Sequence, residues 1–270
     1  MKTVEEMFAA GAGTMIGMVH CLPLPGTLGF DGDYGRILEQ AKQDAVTLER
    51  AGADAVIVEN MGDAPFAASM DVEQVCALAA AAASVRQAVK IPVGIDAAFN
   101  DCRAALSIAA AVGGAFIRVP VFVDTVLFTD GIISPCARQC MMFRKHLRAE
   151  NIRVLADIQV KHTVMLSERI TPEDSARMAA ECGADVILVT GSRTGEETPL
   201  DLIKRIKQTV RIPVYAASGV TADNVREQLK TADGAIVGSG FKKGGVLSNP
   251  VDYELARKLL ARAKEREEQL

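Results

Sequence analysis

The feature that most constrains this chain is a repeat. Short runs rich in β-branched residues recur at 15–19, 55–58, 93–95, 115–119, 154–156, 186–189, 214–216 and 235–237. Each is followed by a polar or glycine-bearing turn and then by a stretch of helical period. From the end of the first run near His20 to that of the eighth near Gly238 the spacing averages about 31 residues, the size of a strand-helix-strand unit. Alternation this regular predicts a parallel sheet. Eight such units need roughly 250 residues, and the chain has 270. The expected architecture is therefore α/β, a (β/α)8 TIM barrel forming one domain over residues 1–270.

An internal echo supports eight units rather than an open sheet. Gly52-Ala53-Asp54 before the second run matches Gly183-Ala184-Asp185 before the sixth, and Lys90-Ile91-Pro92-Val93 before the third matches Arg211-Ile212-Pro213-Val214 before the seventh. Both offsets are four units, as two similar half-barrels would give. Thr171-Pro172-Glu173-Asp174 reads as a helix start, with an N-cap, a first-turn proline and acids suited to the helix dipole. Thr3 with Glu6 reads as a capping box, and 251–269 as a closing amphipathic helix. The connection 121–135 has no clear period and follows the fourth strand, which makes it the candidate lid.

Charge and cysteine usage narrow the function classes. The net charge is −4 with no extended basic run, which argues against nucleic acid as a partner. The longest apolar stretch, 106–123, is interrupted by Gly113-Gly114 and Arg118 and parses as helix, turn and strand, so membrane insertion is not expected. Acidic residues near the start and no targeting segment point to a cytoplasmic protein. The six scattered cysteines fit reduced thiols there; Cys136 and Cys140 share a helical spacing but lack the second pair that a structural zinc would need. Assembly into a homo-oligomer is left open.

In such barrels phosphate commonly sits on the loops after strands seven and eight. Here those loops carry Ala217-Ser218-Gly219-Val220, with Thr221 as a helix N-cap, and Gly238-Ser239-Gly240. Glycine lets an anion approach backbone N–H groups closely, and Lys242 and Lys243 would add attraction. Thr190-Gly191, opening the loop Thr190-Gly191-Ser192-Arg193-Thr194-Gly195, would grip more of the ligand. The bland alternative is that these glycines only make tight turns. The expected partner is a phosphorylated small molecule.

The remaining strand ends carry His20, Glu59, Asp96, Arg118 and Asp157, with Lys161 and His162 just beyond. Carboxylates are cheaper to place in the barrel mouth than in the helix layer, and mixed acids, bases and cations suit proton transfer next to a carbonyl or imine, as in an isomerase or lyase. His20 and Asp157 would flank a ligand from opposite strands, Arg118 would hold a carboxylate or an oxyanion, and Lys161, if desolvated, could form a Schiff base. The structural alternatives are that Arg118 only neutralises Glu59 or Asp96, and that Lys161 and His162 are solvated. Asp63 and Asp101 are read as helix caps. His20, Glu59, Asp96 and Asp157 also have the donor types for a divalent metal, although no ligand spacing marks one. The cofactor is thus undetermined.

Three segments carry a resemblance: MVHCLPLPG at 18–26, VENMGDAPF at 58–66 and ADIQVKH at 156–162. Together they resemble the BtpA/SgcQ family, with similarity running to FKKGG at 241–245. The resemblance implies a ribulose-phosphate-binding type of barrel. It also implies two functional settings, one branch linked to photosystem I accumulation and another found among sugar-transport and sugar-metabolism genes, with no established reaction to carry over. His20, Glu59-Asn60, Asp157, Lys161-His162, Thr190-Gly191 and Ser218-Gly219 match the family pattern. The chain departs from the cyanobacterial branch at Asp96, Phe99 and Pro120, and in the lid at Thr129-Asp130-Gly131, where a Gln usually follows the Asp. A metabolic enzyme is the first reading and a non-catalytic assembly factor for a membrane complex the second.

Overall fold

A computed structural model describes residues 2–193 and 195–265. Thr194 and the end of the expected closing helix lie outside them. Each of the eight runs is a strand, because continuous apolar sequence suits a parallel strand covered on both faces. They are β1 (Thr14–His20), β2 (Ala55–Glu59), β3 (Val93–Asp96), β4 (Phe116–Val119), β7 (Arg153–Asp157), β9 (Val186–Val189), β10 (Val214–Ala216) and β11 (Gly234–Val237). They close a parallel barrel in the ring order β1-β11-β10-β9-β7-β4-β3-β2, with β1 paired to both β2 and β11. The (β/α)8 TIM barrel is the observed fold.

Helices α2 (Tyr34–Ala51), α3 (Val72–Ala88), α4 (Cys102–Val112), α5 (Ala137–His146), α6 (Pro172–Glu181), α7 (Leu200–Thr209), α8 (Val225–Thr231) and α9 (Tyr253–Lys264) cover the outside. Their boundaries follow local chemistry. Thr171 accepts from the Asp174 N–H in a capping box ahead of α6, and Gly52 closes α2 in a left-handed conformation at φ +100°. Asp101 caps α4 by accepting from the Ala104 N–H at 2.9 Å. Asp63 does not cap: it accepts from the Leu24 N–H, Asn60 and Gln74, and so ties the loops after β1 and β2 together.

The bottom of the barrel is plugged. The short helix α1 (Val4–Met7), with the expected Thr3/Glu6 capping box, places fully buried Met7 there. The Met7 carbonyl accepts from both Thr14 Oγ1 and the Tyr215 hydroxyl. Phe8 meets Phe116 edge to face at 5.4 Å. The floor is therefore closed by buried side chains, and the charged strand-end residues lie at the other end.

The connection expected to be a lid is not irregular. It holds a hairpin, β5 (Val126–Phe128) and β6 (Gly131–Ile133), joined by β8 (Val164–Met165) from the next strand-to-helix connection into a three-stranded antiparallel sheet. Its inner residues Val126 and Ile133 pack with Phe99, Val121 and Val160, and Phe99 stacks on Phe128 at 4.0 Å. The outward row Ile132, Leu127 and Val164 is formed by direct cross-strand partners and is exposed.

Candidate active site

Strand parity decides which side chains meet in the mouth. Successive side chains alternate between the barrel interior and the helix layer. Met18, Ile57, Phe116 and Leu155 belong to the inner cluster. Two residues further on, His20, Glu59, Arg118 and Asp157 point the same way. Register then aligns His20 with Glu59, Glu59 with Asp96, and Asp96 with Arg118 across four adjacent strands. The result is one row of imidazole, two carboxyls and a guanidinium.

Arg118 is the hub of that row. Its Nε donates to Asp157 Oδ2 at 2.8 Å and its Nη2 to Oδ1 at 2.9 Å, while Nε stands 3.7 Å from Asp96 Oδ2. Burial opposes the guanidinium charge, but the flanking carboxylates, Asp157 foremost, hold its pKa above the ordinary value. Asp157 is fully buried behind this pair and does not line the cavity; its carboxylate is spent on Arg118 and does not face His20 across an open ligand space.

The two carboxyls left to the cavity are pushed apart. Burial drives Asp96 well above the ordinary carboxyl range and the neighbouring Glu59 adds to it; Arg118 opposes but is already engaged by Asp157. Neither Asp96 oxygen has a hydrogen-bond partner among the described residues. Burial alone would raise Glu59 as well. The hydrogen bond and charge of His20, with Nε2 at 3.3 Å from Oε2, together with Arg118 and Lys161, bring it below its ordinary value instead. Nδ1 of His20 is buried without a partner, so it and Asp96 are where a ligand would supply the missing hydrogen bonds.

These groups open into a cavity enclosing about 840 Å³, the solvent at its mouth included. Met18, Phe66, Phe99, Val160 and Leu247 supply its apolar walls, and His162 and Gly195 stand at its rim. Leu247 was not singled out in sequence, since it comes from a loop with no periodic signal, and Phe66 entered only as the last residue of the VENMGDAPF segment. Asn60 is absorbed structurally, its amide exchanging hydrogen bonds with the Ala98 backbone and so fixing the turn that carries Phe99.

The opposite rim is made by the turns after β10 and β11. Ser218, Gly219, Gly238 and Ser239 all line the cavity. The N–H groups of Gly219, Val220, Ser239 and Gly240 have no acceptor among the described residues, which leaves donors for an anion. Gly219 has φ +63°, and a Cβ there would lie 2.3 Å from the Glu196 carbonyl. The Ser218 hydroxyl is occupied, accepting from the Gly191 N–H at 2.6 Å and donating to the Glu196 carbonyl at 2.8 Å, whereas Ser239 Oγ makes no hydrogen bond among the described residues. Thr190 and Gly191 lie outside the lining: Thr190 accepts from the Lys161 N–H at 3.2 Å, and Gly191 packs on the 196–197 backbone.

Two further expectations need correction. Lys242 does not face the cavity: it is buried against Asp44 at 3.4 Å and donates to the Asn249 carbonyl at 2.7 Å, which anchors the chain before α9. Thr221 does not cap α8, which starts at Val225 after Asn224. Among the described residues no three histidine, cysteine, aspartate or glutamate side chains converge as metal ligands; the Arg118 guanidinium stands between Asp96 and Asp157, where a shared cation would sit. All six cysteines are free, and no described helix is long and apolar enough to cross a membrane.

Fold and site together define a (β/α)8 barrel with a charged cavity at the carboxyl ends of its strands and backbone N–H groups without acceptors among the described residues on its last two turns. The family model described as the BtpA family matches residues 12–265, and the chain belongs to that family. It is 43% identical over 251 residues to an uncharacterized protein of Pyrococcus furiosus, covering 93% of this chain and 94% of the relative. It is 34% identical over 243 residues to the photosystem I biogenesis protein BtpA of Synechocystis sp., covering 88% and 83%. Among solved structures, thiamine phosphate pyrophosphorylase from Pyrococcus furiosus superposes with a TM-score of 0.60 at 16% identity, covering 97% of this chain and 98% of that one. At that identity the likeness concerns the fold.

Proposed function

We propose that this protein is a metabolic enzyme that binds a phosphorylated sugar or nucleoside-like metabolite and moves a proton next to its carbonyl, as an isomerase or lyase does. The observation that carries the reading is a cavity joining unpaired N–H groups on one rim to two adjacent carboxyls of opposite protonation bias. The phosphate sits on the turns at Gly219 and Ser239. Glu59, held ionised, abstracts the proton; Asp96, held neutral, donates; Arg118 stabilises charge developing on the oxygen. The fold is shared with thiamine phosphate pyrophosphorylase, which agrees with this ligand class.

The test is calorimetric binding of inorganic phosphate and a panel of sugar phosphates, followed by NMR detection of deuterium uptake from D2O at the carbon beside the carbonyl. Ser239→Asp is expected to abolish binding by charge repulsion. Glu59→Gln is expected to keep binding and lose exchange. No binding across the panel removes the proposal.

A second reading, a non-catalytic assembly factor, is favoured by one observation. The exposed row Ile132, Leu127 and Val164 is gathered from separate segments, so it forms no run in the sequence. Under that reading Leu127→Glu abolishes partner association and leaves phosphate binding unchanged.

A further inference from the structure

Lys161 occupies an unusual position for a lysine. It lines the cavity, and among the described residues no carboxylate approaches its Nζ within 4.0 Å, although Glu59, Asp96 and Asp157 are near enough to act on it through space. An amine held by an ion pair is occupied; this one is available.

Its backbone is held in place. Gln159 and His162, both non-glycine residues, adopt left-handed conformations at φ 44° and 66° on either side of it, a geometry that persists only where the surroundings enforce it. The enforcement is visible. The Gln159 N–H donates to Asp124 Oδ2 at 2.7 Å, and Asp124 is itself held by Ser175 Oγ at 2.6 Å. The Lys161 N–H donates to Thr190 Oγ1 at 3.2 Å. Two neighbouring connections thus fix a strained turn whose outcome is to present one amine to the cavity. Burial, and then the charge of Arg118, depress the Lys161 pKa, outweighing the nearby carboxylates, and this raises the share of neutral, nucleophilic amine.

We propose that Lys161 captures the carbonyl carbon of a phosphorylated ketone or aldehyde as a protonated imine, an inference that rests on the phosphate reading for its substrate class. The Nζ lone pair forms the N–C bond while the carbonyl π pair moves to oxygen, which takes a proton from the neutral Asp96 carboxyl. The amine gives up a second proton, the oxygen leaves as water, and one N–H remains on the iminium. The iminium nitrogen then accepts the electron pair released when Glu59 removes a proton from the adjacent carbon or when a carbon–carbon bond opens. No oxidant or reductant takes part.

Borohydride trapping tests this directly. The full-length protein is incubated with dihydroxyacetone phosphate, ribulose 5-phosphate or unphosphorylated dihydroxyacetone, reduced with sodium borohydride, and analysed by intact mass and peptide mapping, with binding measured in parallel by calorimetry. The expected result is a single reduced adduct on Lys161 with a phosphorylated ketone, absent in Lys161→Arg. The wild-type peptide map stands even if that variant folds poorly. A phosphorylated ketone that binds without an adduct at Lys161 overturns the imine and leaves the phosphate reading standing. Equal trapping of dihydroxyacetone supports the imine and counts against the phosphate reading. Absence of both binding and adduct across the panel overturns both.

Discussion

Arg118 and Asp157 meet in a bidentate pair, Nε to Oδ2 at 2.8 Å and Nη2 to Oδ1 at 2.9 Å, with both side chains withdrawn from solvent. A planar guanidinium held at two points cannot swing toward Asp96, so its direction in the cavity is set by β7 as much as by its own strand.

Breaking the pair from one side strands a buried charge. Asp157→Ala is expected to cost about 3–5 kcal/mol in urea unfolding at neutral pH. The double variant Arg118→Met/Asp157→Leu, which removes both charges, is expected to lose clearly less than that single variant. Equal losses in the two would show that the pair does not act as a unit.

Asp96 makes stability depend on pH in the direction opposite to an ion-paired carboxylate. Its pKa is raised by burial, so the native chain retains a proton that the unfolded chain releases near pH 4. The native state then binds more protons, and unfolding free energy falls as pH rises from that value to the native one. Asp96→Asn cannot titrate and keeps the shape. Its stability relative to wild type is expected to improve with pH across that window, by up to about 1.4 kcal/mol per unit. A pH-independent difference in chemical denaturation would mean that Asp96 is ionised in the native state.

The barrel was legible because its units repeat a physical task. Asp54 and Asp185, the last residues of the echoed triplets, each accept the N–H of a residue in the neighbouring strand, Met15 and Val154, at 2.8 Å. Pro92 and Pro213 in the other echo each offer a carbonyl to the next strand over. The inward row from His20 to Arg118 was legible on energetic grounds, since a carboxylate costs less in the barrel mouth than in the helix layer. What sequence could not show was pairing within the mouth. Nothing in the spacing of Arg118 distinguishes Asp157 from Asp96 or Glu59, and Lys242 looked like a phosphate ligand until Asp44, 198 residues away, claimed it. The lid sheet escaped because strands of two or three residues are too short to show a period.

Gly219 and Ser218 together shape the rim proposed to hold the phosphate. Alanine at 219 meets both a positive φ and backbone at 2.3 Å, so Gly219→Ala is expected to displace the 196–197 segment, lower the melting temperature and abolish phosphate binding. Ser218→Ala leaves the Gly191 N–H and Glu196 carbonyl without their partner and is expected to cost about 1–3 kcal/mol. Thermal unfolding with and without inorganic phosphate reads both. A Gly219→Ala protein that binds phosphate normally would place the anion elsewhere.

Gly238 bears on the proposed base, Glu59, through its neighbour His20. A Cβ at 238 would stand 2.9 Å from His20 Cε1 and 3.3 Å from Nε2, closer than packed atoms ordinarily sit, so Gly238→Ala is expected to displace the imidazole and disturb its contact with Glu59. Burial already pushes the Glu59 carboxyl upward, and the His20 hydrogen bond and charge are the main influences overcoming it. Removing them lets burial win. The Glu59 titration is therefore expected to move to higher pH in Gly238→Ala, as read by NMR of a carbon-13-labelled glutamate carboxyl, and the acid limb of any deuterium-exchange profile is expected to follow, because a base works only when ionised. His20→Ala should move the titration the same way without adding bulk at 238. A Glu59 titration unchanged in both variants would assign the low carboxyl to Arg118 and Lys161 rather than to the imidazole.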